Sequence, residues 1–241
     1  MKKTIMVSAL TGLLLGLGYI HLFSPPTSAS LPTKTYINLS DMRKEIDRLT
    51  KEDPTLGLSS NPYVFIKNNK EYERIVKMGY PALPVIEERI MEGNSFGLDK
   101  YILAAAAEEI ARVDLKKSEF KWSDPEEFTR SWQLHLKAVP GKVEKIVNSK
   151  ESAEWKNEKL TELGAPAIPF ILEKVEKGAK ELETSLQKIV NSSDLPSISP
   201  SDFNAQQWKT DHKEDARLLK TMVDKAAEQD VSTQFRMNPN K

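Results

Sequence analysis

The chain has 241 residues, and its 35 Lys and Arg residues balance its 35 Asp and Glu residues, so the formal net charge is zero. A hydrophobic content of 39% with 29% charged residues is typical of a globular protein, and it excludes intrinsically disordered, collagen-like, coiled-coil and polytopic membrane classes. The zero net charge argues against nonspecific nucleic-acid binding, and the absence of Cys excludes disulfides, thiolate nucleophiles, iron–sulfur clusters and Cys-ligated zinc.

The N-terminus has the residue order of a secretory signal. Lys2 and Lys3 precede an uncharged run from Ile5 to Phe23, and small residues and prolines follow. Residues 1–29 are therefore expected to be a signal peptide that is cleaved after Ala29, which places the rest of the chain outside the cytoplasm. The alternative is an uncleaved N-terminal membrane anchor, because the uncharged run nearly spans a bilayer core of about 30 Å.

The exported part is predicted to contain one helical domain between two flexible ends. Residues 30–39 are expected to be a flexible linker, 40–230 the helical domain, and 231–241 a flexible tail. The domain is predicted to open with a helix from Asp41 to Thr50, and the residues from Pro54 to Pro62 predict a loop. We find no alternation of polar and apolar residues that predicts a strand.

One stretch of sequence occurs twice. The 15 residues from Gly79 to Gly93 align without gaps with those from Gly164 to Gly178, and seven positions are identical. The identical positions include one Gly and two prolines, which are Gly79, Pro81 and Pro84 in the first copy and Gly164, Pro166 and Pro169 in the second. The Gly is expected to take a left-handed conformation that ends the preceding helix. The first Pro fits the first turn of a new helix, and the second Pro should make that turn irregular.

Each copy is predicted to contain two amphipathic helices. The first helix of each copy carries an apolar stripe at helical spacing, which is Leu83, Ile86 and Ile90 in one copy and Ile168, Ile171, Leu172 and Val175 in the other. The second helices are predicted from about Leu98 to Val113 and from about Ala179 to Val190. Their inward residues are expected to be Ile102, Ala106, Ile110 and Val113, and Leu182, Leu186 and Ile189. The alanines from 104 to 107 are expected to permit close helix packing, with a ligand groove as the alternative.

The segment between the copies, from about Ser123 to Leu163, is predicted to be a degenerate unit. Asp124 as the N-cap and Pro125 at the first helical position indicate where its helix begins. One face of that helix carries Phe128, Trp132 and His135.

A loosely similar pattern occurs near the C-terminus. There Ser201-Asp202-Phe203 leads to Trp208 and His212, and a long helix is expected to continue with Leu219, Met222 and Ala226. We interpret it as the closing helix of a stack, because an end repeat must present a polar outer face.

The offset of 85 residues between the copies is close to two helical-hairpin repeats of roughly 40 to 47 residues. The chain resembles the HEAT-like repeat family in Met78-Gly79 with the string from Pro81 to Pro84, and in Leu163-Gly164 with the string from Pro166 to Pro169. This resemblance implies an all-α protein, a short right-handed α-solenoid of stacked helical hairpins that works as a scaffold. The second copy departs from the family pattern because it lacks an Ala-rich second helix, and the middle unit lacks the string.

Two histidines follow the signal, His135 and His212, and each comes one turn after a Trp on an apolar stripe. Asp211 and Asp215 flank His212, and this combination makes a cell-envelope enzyme the second functional hypothesis. One His with two acids is an incomplete catalytic or metal site, and we find no recognised catalytic spacing elsewhere. Both histidines are therefore expected to be structural, and no catalytic, cofactor-binding or metal residue is assigned.

Trp155 is the candidate interface residue. The inward stripe of its predicted helix, from about Glu151 to Leu163, is Ala153, Leu160 and Leu163. Trp155 points away from that stripe and is expected to be largely exposed, as interface Trp residues are before binding. The alternative is that Trp155 packs on a neighbouring helix.

Together these features predict an exported, non-catalytic scaffold that binds a protein or peptide partner outside the cytoplasm and needs no cofactor. A nucleic-acid partner is not expected, and membrane contact is expected only through an uncleaved N-terminal segment. A purely structural envelope protein, anchored by residues 5–23, is a third hypothesis.

Overall fold

The computed structural model describes residues 36–93, 97–191 and 203–229. The predicted signal or anchor, the first part of the predicted linker and the predicted tail lie outside these residues. Within the described ranges the chain is all-α, with ten α-helices, six short 3-10 turns and no strand, which confirms that the protein is all-α.

The α-helices in chain order are α1 Leu39–Glu52, α2 Lys70–Lys77, α3 Leu83–Met91, α4 Leu98–Ala111, α5 Pro125–Val147, α6 Ala153–Thr161, α7 Ile168–Glu176, α8 Glu183–Val190, α9 Ala205–Asp211 and α10 Lys213–Glu228. The 3-10 turns are Pro54–Leu58, Pro62–Phe65, Tyr80–Ala82, Leu115–Lys117, Ala165–Ala167 and Lys180–Leu182. The opening helix is confirmed, and the predicted loop after it contains a 3-10 turn. No helix in the described ranges has both the length and the hydropathy needed to cross a membrane.

Both copies of the repeated string form the same turn. Gly79 has φ 64° and ψ −153°, and Gly164 has φ 68° and ψ −162°. The positive φ was predicted, but the extended ψ differs from the left-handed helical cap that we expected, and it places both residues in a region open almost only to Gly. A 3-10 turn that contains the first Pro follows each Gly, and the second Pro then lies in the first turn of α3 or α7. The predicted irregular start of these helices is confirmed.

The predicted apolar stripes form the core. Every residue predicted to point inward in the two copies is buried except Val175, which is only partly buried. The alanines from 104 to 107 are buried as well, where α4 packs against α1, α2, α3 and α5. Their small side chains allow these helices to approach closely.

The two copies contact each other where α4 ends. A Cβ atom added to Gly164 would lie 2.5 Å from Val113 Cγ1 and 2.9 Å from the backbone oxygen of Arg112, whereas a Cβ added to Gly79 would meet no atom within 4 Å. Arg112 has φ 55° and ψ 45°, and its guanidinium donates hydrogen bonds to the carbonyls of Lys188 and Asn191 at the end of α8. The space beside the Gly is therefore open in the first copy and tightly packed in the second.

The middle segment is an unequal hairpin of α5 and α6. Asp124 Oδ1 accepts hydrogen bonds from the backbone N–H groups of residues 126 and 127 at 2.9 Å, which confirms the predicted start of α5. Phe128, Trp132 and His135 are buried together on one face, as expected. On α6, Leu160 is buried as predicted, but Ala153 is exposed and Asn157 takes the inward position.

The C-terminal part is two helices and not the single long one expected. His212, with φ −115° and ψ 33°, separates α9 from α10. Leu219, Met222 and Ala226 of α10 are buried as predicted. However, α10 packs on α5, on α7 and on the 3-10 turns of both copies. It therefore runs across the units, whereas a closing helix would cover one end of a stack.

A hydrogen bond between two polar side chains joins α3 to α5, and it leaves one buried oxygen without a partner. Gln133 Nε2 donates a hydrogen bond to Glu87 Oε1, while the buried Gln133 Oε1 accepts none. Burial raises the pKa of Glu87, although the Gln133 hydrogen bond and the charge of Lys225 on α10 act in the opposite direction. A neutral group at position 87 would avoid the cost of burying a charge.

We expect Glu87→Gln to stabilise the protein by about 1 kcal/mol at pH 7, because the new amide can also donate to Gln133 Oε1. The folded-state pKa of Glu87 lies above its unfolded value, so the wild type gains stability as pH falls through that pKa and loses it as pH rises. The advantage of the variant in urea unfolding should therefore shrink between pH 7 and pH 4. The control is Glu88→Gln at the exposed neighbour, which should not change the midpoint at pH 7.

Candidate functional site

Trp155 is partly exposed, with 37% of its surface accessible, whereas a largely exposed side chain was predicted. It lies in the first turn of α6, where Ser152 Oγ accepts a hydrogen bond from its backbone N–H at 3.2 Å. Asn157 holds this helix in place, since its Nδ2 donates to the Glu181 carbonyl at 2.9 Å and its Oδ1 accepts from the Ser185 N–H at 2.9 Å. The indole is therefore presented by a helix that is fixed on its other face.

His212 lies at the junction between α9 and α10. Its Nδ1 is 3.2 Å from Asp215 Oδ2, and because a carboxylate accepts, Nδ1 donates this hydrogen bond. The ring stacks on Trp208 with centroids 4.8 Å apart. Asp211 instead accepts a hydrogen bond from Gln207 Nε2 at 2.8 Å, so the structure brings only one of the two predicted acids to His212. Among the described residues there is no group of three His, Asp or Glu side chains arranged to hold a metal ion.

His135 is buried and bonded within the core. Its Nε2 lies 3.1 Å from the carbonyl oxygen of Leu163, so Nε2 carries the proton and donates. Burial lowers the pKa of His135 to about 4, although the bond to the Leu163 carbonyl acts against this shift. The predicted structural role, one hydrogen bond from a histidine on an apolar face, is confirmed.

The densest group of aromatic and charged side chains was not predicted. It surrounds the ammonium group of Lys116, whose Nζ lies 4.0 Å from the ring centroid of Trp122, 4.8 Å from that of Tyr101 and 5.1 Å from that of Tyr63. Lys116 Nζ also donates a hydrogen bond to the Tyr101 hydroxyl. We call these four residues the Lys116 cage.

Three separate parts of the chain position the cage. Tyr63 belongs to the 3-10 turn before α2, Tyr101 to α4, and Lys116 to the 3-10 turn after α4. Glu108 of α4 connects them, because its Oε1 accepts hydrogen bonds from Trp122 Nε1 at 3.0 Å and from the backbone N–H of residue 115 at 2.8 Å. The tilted and edge-on ring contacts, with centroids 4.9 Å apart for Tyr101 and Trp122 and 5.8 Å apart for Tyr63 and Tyr101, fix the rings against each other.

The charges of the cage favour a cation. Burial of Lys116 acts to lower its pKa, but hydrogen bonds to the Tyr101 and Tyr63 hydroxyls outweigh it, and the pKa of Lys116 is raised. Burial raises the pKa of the Tyr63 hydroxyl and of the Glu108 carboxyl. The ammonium therefore stays charged at neutral pH against aromatic faces, which carry the negative part of the ring quadrupole.

Sequence reasoning missed the cage because its residues have no common period. Tyr63, Tyr101, Lys116 and Trp122 come from segments that only the tertiary structure brings together. The one local feature of the sequence that indicates the cage is Tyr101, on the polar side of α4.

Comparison of the chain with protein-family models, with curated proteins and with solved structures finds no match. The class of protein that the structure defines is an all-α protein.

Proposed function

We propose that the protein is an exported, non-catalytic scaffold of HEAT-like helical hairpins that binds a protein or peptide partner outside the cytoplasm. The proposal is supported by the repeated turn, since two stretches 85 residues apart in sequence take nearly the same backbone angles at Gly79 and Gly164 and continue into equivalent helices. Repeated helical hairpins provide extended surfaces that suit binding better than catalysis.

The observation that carries the proposal is Trp155. A large aromatic side chain on a fixed helix can bury much area on binding while it loses little conformational freedom, which is why Trp is enriched among interface hot spots. The opposite face of α6 is anchored by Leu160 and Asn157, so the exposure of Trp155 does not reflect a loose helix. We place the binding surface on the outer face of α6, because α10 packs on α5, on α7 and on the 3-10 turns of the two copies.

Trp155→Ala should leave the thermal midpoint within about one or two degrees of the wild type, because its indole is not part of the core. The same change should weaken capture of the partner by about 2 kcal/mol or more. Capture is measured by crosslinking in the native envelope from a photoreactive side chain near position 155, followed by identification of the captured protein and titration with it.

The control is Lys70→Ala, because Lys70 is exposed and precedes Trp155 by 85 residues, which is the offset between the two copies of the repeated string. It should change neither the thermal midpoint nor the capture. A large fall in the midpoint of Trp155→Ala would place the indole in the core, and unchanged capture would remove the proposed surface.

A further inference from the structure

The Lys116 cage holds an ammonium group by the ring face of Trp122 and by tyrosine side chains, not by a carboxylate. All three ring centroids lie within 5.1 Å of Lys116 Nζ, inside the distance of about 6 Å at which cation–π attraction is significant. Among the described residues Lys116 takes part in no ion pair, and its ammonium interacts with the hydroxyls of Tyr101 and Tyr63. Two attractions therefore act on the ammonium: the Tyr101 hydroxyl accepts its hydrogen bond, and the Trp122 ring attracts its positive charge, which does not require an N–H donor.

The cage is open to solvent on one side. Tyr63, at its rim, is 41% exposed, while Trp122 at its floor is buried and fixed by Glu108. Lys116 itself lies on a turn of three residues, and four rotatable bonds separate its ammonium from the backbone. Its side chain can leave for water without a change in any helix, and the three rings would stay in place.

We propose that Tyr63, Tyr101 and Trp122 form a binding site for a trimethylammonium group, and that the Lys116 ammonium occupies it when no ligand is present. A quaternary ammonium is more weakly hydrated than a primary one and loses less on entering an aromatic site, which is the basis of choline and methyl-lysine recognition. Lys116 is then an internal competitor that sets the affinity. This site lies on different elements from Trp155 and is independent of the proposed partner surface.

The probe is choline chloride, titrated by calorimetry and by the NMR shift of the Trp122 indole N–H, with NaCl as the control for ionic strength. Lys116→Ala should bind choline at least about tenfold more tightly than the wild type, because the competitor is removed, and tenfold corresponds to 1.4 kcal/mol. Lys116→Gln, which keeps part of the stem, should give a gain of the same sign if the Ala variant does not fold. Trp155→Ala should bind choline as the wild type does.

Two controls test whether the site recognises positive charge against the ring of Trp122. The neutral isostere of choline, 3,3-dimethylbutan-1-ol, should not bind, and adding Trp122→Leu to the Lys116→Ala variant should abolish choline binding. Equal binding of the neutral isostere, or no choline binding by a folded Lys116→Ala or Lys116→Gln variant, would overturn the proposal.

The source of the trimethylammonium group is tested with vesicles of pure phosphatidylcholine. Co-sedimentation of the Lys116→Ala variant that free choline abolishes would assign the site to the lipid headgroup. Choline binding without co-sedimentation would assign it to a soluble ligand. Each of these outcomes supports the ammonium site.

Discussion

Gly164→Ala should destabilise the protein by about 3 kcal/mol or more, the largest loss that we expect from a single methyl group. An Ala at φ 68° and ψ −162° is strained by about 1 to 3 kcal/mol. Its Cβ would also press on Val113 and on the carbonyls that end α4, and backbone atoms cannot move aside as a flexible side chain can. The loss is measured as the change in free energy of urea unfolding.

Gly79→Ala is the matched control because it has nearly the same backbone angles and open space around the added Cβ. It should show the backbone strain alone, about 1 to 3 kcal/mol. The difference between the two variants then reports the packing between the copies. Equal losses would mean that the end of α4 yields to the new methyl group at little cost.

The pH dependence of stability should show a second large effect, from His135. Its pKa falls from 6.5 to about 4 on folding, so below pH 6.5 the unfolded chain binds a proton that the folded chain does not. This residue alone should remove about 3 kcal/mol of unfolding free energy between pH 6.5 and pH 4, and nothing above pH 6.5. Burial is the cause, because a protonated ring would carry a charge and a second N–H into an apolar site.

His135→Gln should flatten this part of the pH profile, because Gln does not titrate, although it lowers stability at pH 7. His212→Gln, at the exposed junction before α10, should keep the wild-type fall between pH 6.5 and pH 4. Urea unfolding of the wild type and of the two variants at four pH values measures this fall. If His135→Gln retains the full fall, then the carboxyl groups cause it and not the buried ring.

The local features of this fold could be predicted because they depend on neighbouring residues. The repeated Gly and prolines fixed the turns before α3 and α7, and Asp124 fixed the start of α5. Apolar spacing identified the buried faces of α3, α4 and α7. In each case the residues that determine the local structure lie within one or two helical turns of each other in the sequence.

The errors occurred where a residue's role depends on distant partners. Asn157 is polar and was not assigned to the core, yet it is buried because the Glu181 carbonyl and the Ser185 N–H bond to its amide. Ala153 fits an apolar stripe, but no neighbouring helix covers it. The Lys116 cage could not be predicted for the same reason, since its three rings meet only after the turn before α2, helix α4 and the segment before α5 have packed.

The position of α10 affects the order in which the molecule can fold. A linear array of repeats completes each unit as it is made and unfolds one unit at a time. Here α10, the last helix that the structure describes, packs on the 3-10 turns of both copies. The apolar surface beside Tyr80–Ala82 is therefore covered only when a segment that is synthesised much later has folded. Contacts between such distant segments slow folding and make it more cooperative. A chain cut before residue 213 would therefore expose apolar surface on both copies at once, whereas a shortened linear array loses only its end.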